Sequence, residues 1–156
     1  MADSQSPAVA VAYSAVLVSG STTFRDRVTM WGTLDKYLAA SKEAGLPEFQ
    51  IFTGGANGAD CLAEAWAVES GVRYTRVEAK WNKGANAETG MNTAGFDRNK
   101  ELVEKTFGKA LFFVSAIDKV PAVIQDLDRM VKEKGIPTGF KSAKSNAPAY
   151  QVVEEL

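Results

Sequence analysis

The chain contains no histidine in 156 residues. That excludes histidine-based catalytic triads, histidine general bases and histidine metal ligands. Catalysis would fall to Asp, Glu, Lys, Arg, Tyr, Cys or a metal held by oxygen ligands. Cysteine occurs once, at Cys61. One cysteine forms no internal disulfide and no cysteine-rich zinc site, and cytoplasmic residence is the natural expectation. Neither sign of charge dominates, with 18 basic against 19 acidic residues. This balance argues against a broad nucleic-acid or membrane surface but leaves room for a local basic site. No apolar run is long enough to span a bilayer, and the first residues, Met1 to Pro7, lack a signal-peptide pattern.

What is present is ordinary in bulk: 46% hydrophobic and 24% charged residues, in a length that fits one domain and buries roughly 70% of the unfolded surface. Residues 1–9 read as a loose leader, 10–140 as the folded domain and 141–156 as a polar tail. Ala10 to Val18 and Ala110 to Val114 are apolar without alternation, the signature of strands covered on both faces. Phe49 to Phe52, Val72 to Val77 and Ile136 to Phe140 supply three more strands. Between them lie helical patterns. The first starts at Asp26, carries Val28, Trp31, Leu34 and Leu38, and closes at Gly45. The second carries Leu62, Ala63, Trp66 and Ala67 and closes at Gly71. The third spans Asp97 to Phe107, and the fourth runs from Pro121 to Lys134. Strand and helix alternate throughout. The fold class is therefore α/β: a single doubly wound, Rossmann-like domain of about five mainly parallel strands with helices on both faces. Ligands of such sheets bind beyond the carboxyl ends of the strands, where strand order reverses.

The unusual loops all fall at that edge. In Gly54-Gly55-Ala56-Asn57-Gly58-Ala59-Asp60, glycines leave backbone N–H groups uncovered ahead of a helix N-terminus, a combination suited to an anion. Simple strand-to-helix packing explains the same glycines equally well. Asp60 would repel a phosphate at close range and suits a helix cap or a ribose hydroxyl. Gly20-Ser21-Thr22-Thr23 offers a second such loop, with capping as the plainer role for its hydroxyls. Arg98 in Ala94-Gly95-Phe96-Asp97-Arg98-Asn99 is the best single anion contact; the plainer reading is a surface arginine with Asp97 as cap. Trp81 and Phe24 can stack on a base or serve packing. Cys61 reads as a small buried residue.

Together the stretches VLVSGSTTFRDR, FTGGANGAD, AEAWAVESGVRYTRVEAKW and AGFDRNKELV resemble the YspA-like branch of the SLOG superfamily, Rossmann-like domains related to LOG proteins and to DprA. The resemblance runs over roughly Val16 to Phe140. It implies a pocket for a nucleotide or nucleotide-derived ligand, and domains of this kind occur near bacterial and phage nucleotide-signalling and defence systems. It carries Gly20, Ser21, Gly54, Gly55, Gly58, Asp60, Arg98 and Asn99 into the site. Thr22 and Asn57 stand where the family commonly has basic residues. After the fourth strand, Ser115-Ala116-Ile117-Asp118-Lys119 replaces the Gly-Gly-x-Gly-Thr loop of many members, and the LOG-type glutamate is missing. These departures favour binding over turnover.

The expected function is binding of a nucleotide-derived signal, ADP-ribose-like or cyclic, as sensor or sponge. Its ligand-binding residues would be Gly20, Ser21, Thr22, Gly54, Gly55, Asn57, Gly58, Asp60, Trp81, Arg98 and Asn99. No cofactor or metal is expected beyond the ligand, and a homo-oligomer is expected because one small domain hardly encloses a dinucleotide-sized molecule. The alternatives are a hydrolase of an N-glycosidic or phosphate bond, using Asp60, Glu64 or Asp97, and DprA-like binding of single-stranded DNA, which the near-neutral charge disfavours.

Overall fold

The structure is a computed structural model that describes residues 12–79 and 94–144. Five strands alternate with four α-helices: β1 Ala15–Gly20, α1 Arg27–Glu43, β2 Gln50–Thr53, α2 Ala59–Ser70, β3 Arg73–Arg76, α3 Ala94–Leu102, β4 Lys109–Val114, α4 Ala122–Glu133 and β5 Thr138–Ser142. The strands form one sheet in the order β3-β2-β1-β4-β5. Every neighbouring pair is parallel. Strand order reverses between β1 and β4, so the crevice above their carboxyl ends is the topological switch point.

The strand sequences lack alternation because both faces are covered. Successive side chains point to opposite faces. Val16 and Val18 of β1 join Leu111 and Phe113 of β4 in a core with Met30 and Leu34 of α1 and Ala63 and Trp66 of α2. Ala15 and Leu17 join Ala110 and Phe112 in a second core with Leu102 of α3 and Ile124, Leu127 and Val131 of α4. The chain thus sends α1 and α2 to one face and α3 and α4 to the other.

Several expectations need correction. The buried residues of α1 are Arg27, Met30, Leu34, Tyr37 and Ser41, a stripe that leaves Val28 51% exposed. Asp26 does cap this helix, its carboxylate accepting from the Thr29 N–H at 3.1 Å. The third helix begins three residues before Asp97, so Asp97 lies within its first turn and is not its cap. β3 is a sheet edge, with Arg73, Tyr74 and Arg76 all exposed. The last strand extends to Ser142, past the expected boundary at 140. The Lys144 N–H then donates to Asp26 at 2.9 Å, tying the end of the described chain to the start of α1. Trp81, with the rest of 80–93, lies outside the described residues, as do 1–11 and 145–156.

Candidate functional site

The carboxyl ends of β1, β2 and β4 are joined by short polar contacts. After β1, Ser21 Oγ accepts from the Ser115 N–H at 3.2 Å, and the Thr23 and Ser115 hydroxyls lie 2.6 Å apart. Ser115 directly follows β4, so these bonds bridge the switch point. The Ser21 carbonyl accepts the Ala59 N–H at 3.1 Å, which fastens the start of α2 to the same loop. Gly58 makes this possible. It is the residue before α2, with φ of 74° and no side-chain cap, and a Cβ on it would lie 2.4 Å from the Ser21 and Thr22 carbonyl oxygens. Phe24 leaves the loop for the core, fully buried against Phe113, so it is not available to stack on a base. Thr22 and Asn57 are exposed at the edge.

Asp60 is buried in the first turn of α2. Its Oδ2 accepts the Ala56 N–H at 3.1 Å, so it braces the glycine loop from behind rather than capping the helix. Among the described residues, its Oδ1 and the Ser19 hydroxyl are buried without a hydrogen-bond partner; Ser19 lies close enough to the carboxyl to favour its charged form but outside hydrogen-bonding geometry. Burial pushes the Asp60 carboxyl up to about 6, against the opposing pull of the Ala56 N–H, Arg98 and Ser19, while Glu64 adds to the rise. Burying a carboxylate without full hydrogen bonding disfavours its charged form.

Arg98 is also buried, not a surface arginine. It donates through Nη1 to the Gly54 carbonyl at 2.7 Å. A Cβ on Gly54 would lie 2.2 Å from Arg98 Nη1 and 2.9 Å from Asp60 Oδ2. Gly54 is therefore the gap in which guanidinium and carboxylate flank the backbone. Burial lowers the Arg98 pKa and the Asp60 charge opposes that shift. The Asn99 side-chain oxygen accepts the Arg98 Nε–H at 3.3 Å. Its amide donates to the Val123 carbonyl at 2.9 Å and to Asp126 at 3.3 Å, joining α3 to α4.

Beside this pair lies a second polar cluster. Glu64, one helical turn beyond Asp60, accepts Thr53 Oγ1 at 2.5 Å and both Nε and Nη2 of Arg76, at 3.0 and 2.5 Å. Arg76 also reaches Glu78 at 3.0 Å. The Arg76 side chain occupies the space a Cβ on Gly55 would need, at 2.6 Å. The hydrogen bonds that Arg76 donates to Glu64 raise its pKa. Ser19, Thr53 and Arg76 were not singled out from sequence. The available signal was polarity at the last positions of otherwise apolar strands. Cys61 is exposed, contrary to expectation. Asp97 lies exposed on α3 and engages in an interaction of its own.

Residues 14–84 match the model of the YspA, cpYpsA-related SLOG family. Over these residues, just under half of its length, the chain is similar to the YspA-like SLOG family. The matched residues run from before β1 to beyond β3 and contain the Ser19 to Thr22 loop, the glycine loop, Asp60, Glu64 and Arg76. Arg98, Asn99 and the loop after β4 fall beyond them. Neither a curated protein nor a solved structure matches the chain significantly. This similarity points, at a coarse level, to nucleotide-related binding or processing. Among the described residues, no helix is long and apolar enough to cross a membrane.

Proposed function

We propose that this protein, similar over residues 14–84 to the YspA-like SLOG family, binds a nucleotide-derived small molecule at the carboxyl edge of β1, β2 and β4. The observation that carries the reading is the pair of buried oxygens, Asp60 Oδ1 and Ser19 Oγ, that have no hydrogen-bond partner among the described residues, beside the glycine loop. Buried polar groups are almost always paired, and a ligand hydroxyl such as that of ribose would supply the missing partner. Ser21, Thr22 and Asn57 would meet the polar rim of the ligand, with Gly54, Gly55 and Gly58 shaping the loop, Gly20 closing β1 and Asn99 holding α3. Arg98 would set the local positive charge. An ADP-ribose-like or cyclic nucleotide held as a signal, by a sensor or sponge, fits this chemistry, as does a site shared between two copies of the chain.

The test is release of small molecules from heat-denatured protein, read by mass spectrometry, beside thermal shifts with a nucleotide panel. A ligand at 100 times its Kd would stabilise the native state by about 2.7 kcal/mol. Ser19→Ala and Asp60→Asn are expected to remove the shift. Absence of both a released nucleotide and any shift across the panel sinks the reading.

A second reading, hydrolysis, is favoured by one observation. Burial pushes Asp60 up to about 6, close enough to neutral pH for the carboxyl to exchange a proton as general acid or base. Glu64 is already held by Thr53 and Arg76, so Asp60 would carry the proton. Consumption of a nucleotide by the wild type but not by Asp60→Asn would establish it.

A further inference from the structure

A second site lies on the face of the sheet covered by α1 and α2, away from the carboxyl edge. There α1 runs beside β4 and β5 and leaves a groove lined by Thr33, Lys36, Tyr37, Lys109, Leu111, Gly139, Phe140 and Lys141. Three of these are lysines and none is acidic. Lys36, Lys109 and Lys141 make no ion pair among the described residues. They come from three separate elements and meet over an apolar floor.

Gly139 is the informative position. It is an interior strand residue, where glycine weakens a sheet. Its φ lies outside the left-handed region that favours glycine, and a Cβ there would make only ordinary contacts, 3.7 Å to Leu111 and 3.8 to 3.9 Å to the end of Lys109. Neither backbone conformation nor close packing requires glycine here. What its bare backbone does is keep the groove floor open, with the Lys109 ammonium held above it.

The geometry points to a binding site for a small phosphomonoester whose phosphate sits among Lys36, Lys109 and Lys141. A phosphomonoester carries about −1.5 to −2 charges near neutral pH, which matches three ammonium groups better than one carboxylate does. Lysines act on phosphate as flexible point charges, without the forked geometry that carboxylates draw from arginine. The Tyr37 side chain also lines the groove, while Thr33 already donates to the Thr29 carbonyl at 2.9 Å, and Leu111 presents apolar surface to the ester group.

The test is an amide NMR titration of the full chain with phenyl phosphate up to 10 mM, at low and at physiological salt. Expected are shifts centred on Leu111, Gly139 and Lys141, weakening at the higher salt. Gly139→Val is the decisive variant. Valine suits a strand, so the melting temperature should hold or rise, while its branches fill the groove and weaken phenyl phosphate binding at least tenfold. Lys109→Gln with Lys141→Gln should weaken it to a similar degree. Three results overturn the proposal: no shifts at 10 mM, shifts confined to Ser21, Gly54 and Gly58, or wild-type affinity in Gly139→Val. The nucleotide reading of the carboxyl edge is unaffected by any of them.

Discussion

Asp60→Asn should make the protein more stable, and by an amount that depends on pH. Asparagine keeps the shape and the acceptor for the Ala56 N–H but carries no charge. In the wild type, burial raises the Asp60 pKa from an ordinary 3.8 to about 6. The sign follows from proton counts. Between these values the unfolded chain loses the proton while the folded one keeps it, so stability falls as pH rises from about 4 to about 6 and is level above that. Two pKa units correspond to about 3 kcal/mol at full ionisation. The wild type should therefore trail Asp60→Asn by about 2–3 kcal/mol at pH 8, a gap of roughly 4–12 °C in Tm for a domain of this size. The gap should close toward zero below pH 4. Guanidinium melts of both proteins across pH 3–8 measure it, and taking the difference cancels the other titrating groups. A gap independent of pH, or a variant less stable at pH 8, refutes the reasoning. Combined with loss of ligand response, a stabilised variant would also mark Asp60 as a residue kept at a cost in stability for function.

Further outcomes separate packing from binding. Gly58→Ala should cost more than Gly45→Ala in chemical denaturation. Both have positive φ, 74° and 68°, but only Gly58 would drive a Cβ onto the Ser21 and Thr22 carbonyls; Gly45→Ala should cost about 1 kcal/mol, and equal costs would show that the β1 loop yields easily. Gly54→Ala should displace Arg98 from the Gly54 carbonyl and destabilise by about 1–3 kcal/mol, read in the same melts; no loss would mean that the Arg98 bond is expendable. Glu64→Gln should lower stability by about 1–2 kcal/mol by weakening its bonds to Arg76 and Thr53, while leaving any nucleotide-induced thermal shift in place. Loss of that shift would move Glu64 from support into the site itself.

The layered fold was legible because its strands are apolar on both faces, which forces helices onto both sides. Valine-rich β1 and the Ala110 to Val114 run carried that information. Helix orientation was less legible. Val28, Trp31, Leu34 and Leu38 form a helical stripe, yet the true interior follows Met30, Leu34, Tyr37 and Ser41, a stripe rotated about the helix axis. Trp31 and Leu38 flank it, half-buried, and Val28 falls outside it. The glycine loop was visible, but its reasons were not. Each of Gly54, Gly55 and Gly58 answers to atoms distant in sequence or on another element: Arg98, Arg76 and the β1 loop. Asp60 and Glu64 share the buried face of α2 at one-turn spacing, a pattern readable in the sequence. Their arginine and threonine partners come from three other elements, and only tertiary packing pairs them.

The bonds bridging the carboxyl edge have a kinetic consequence. The Ser115 N–H, the Ala59 N–H and the Ser21 N–H are all engaged within one knot of chain linking β1, β4 and α2. Hydrogen exchange at such amides requires the knot to open, and the β1–β4 pair it joins lies at the centre of the sheet. Local fraying of the rim would not release them, so they should exchange with the slowest core amides. A molecule arriving at this edge meets a surface already assembled, and its association rate would be set by diffusion and desolvation rather than by the ordering of these loops.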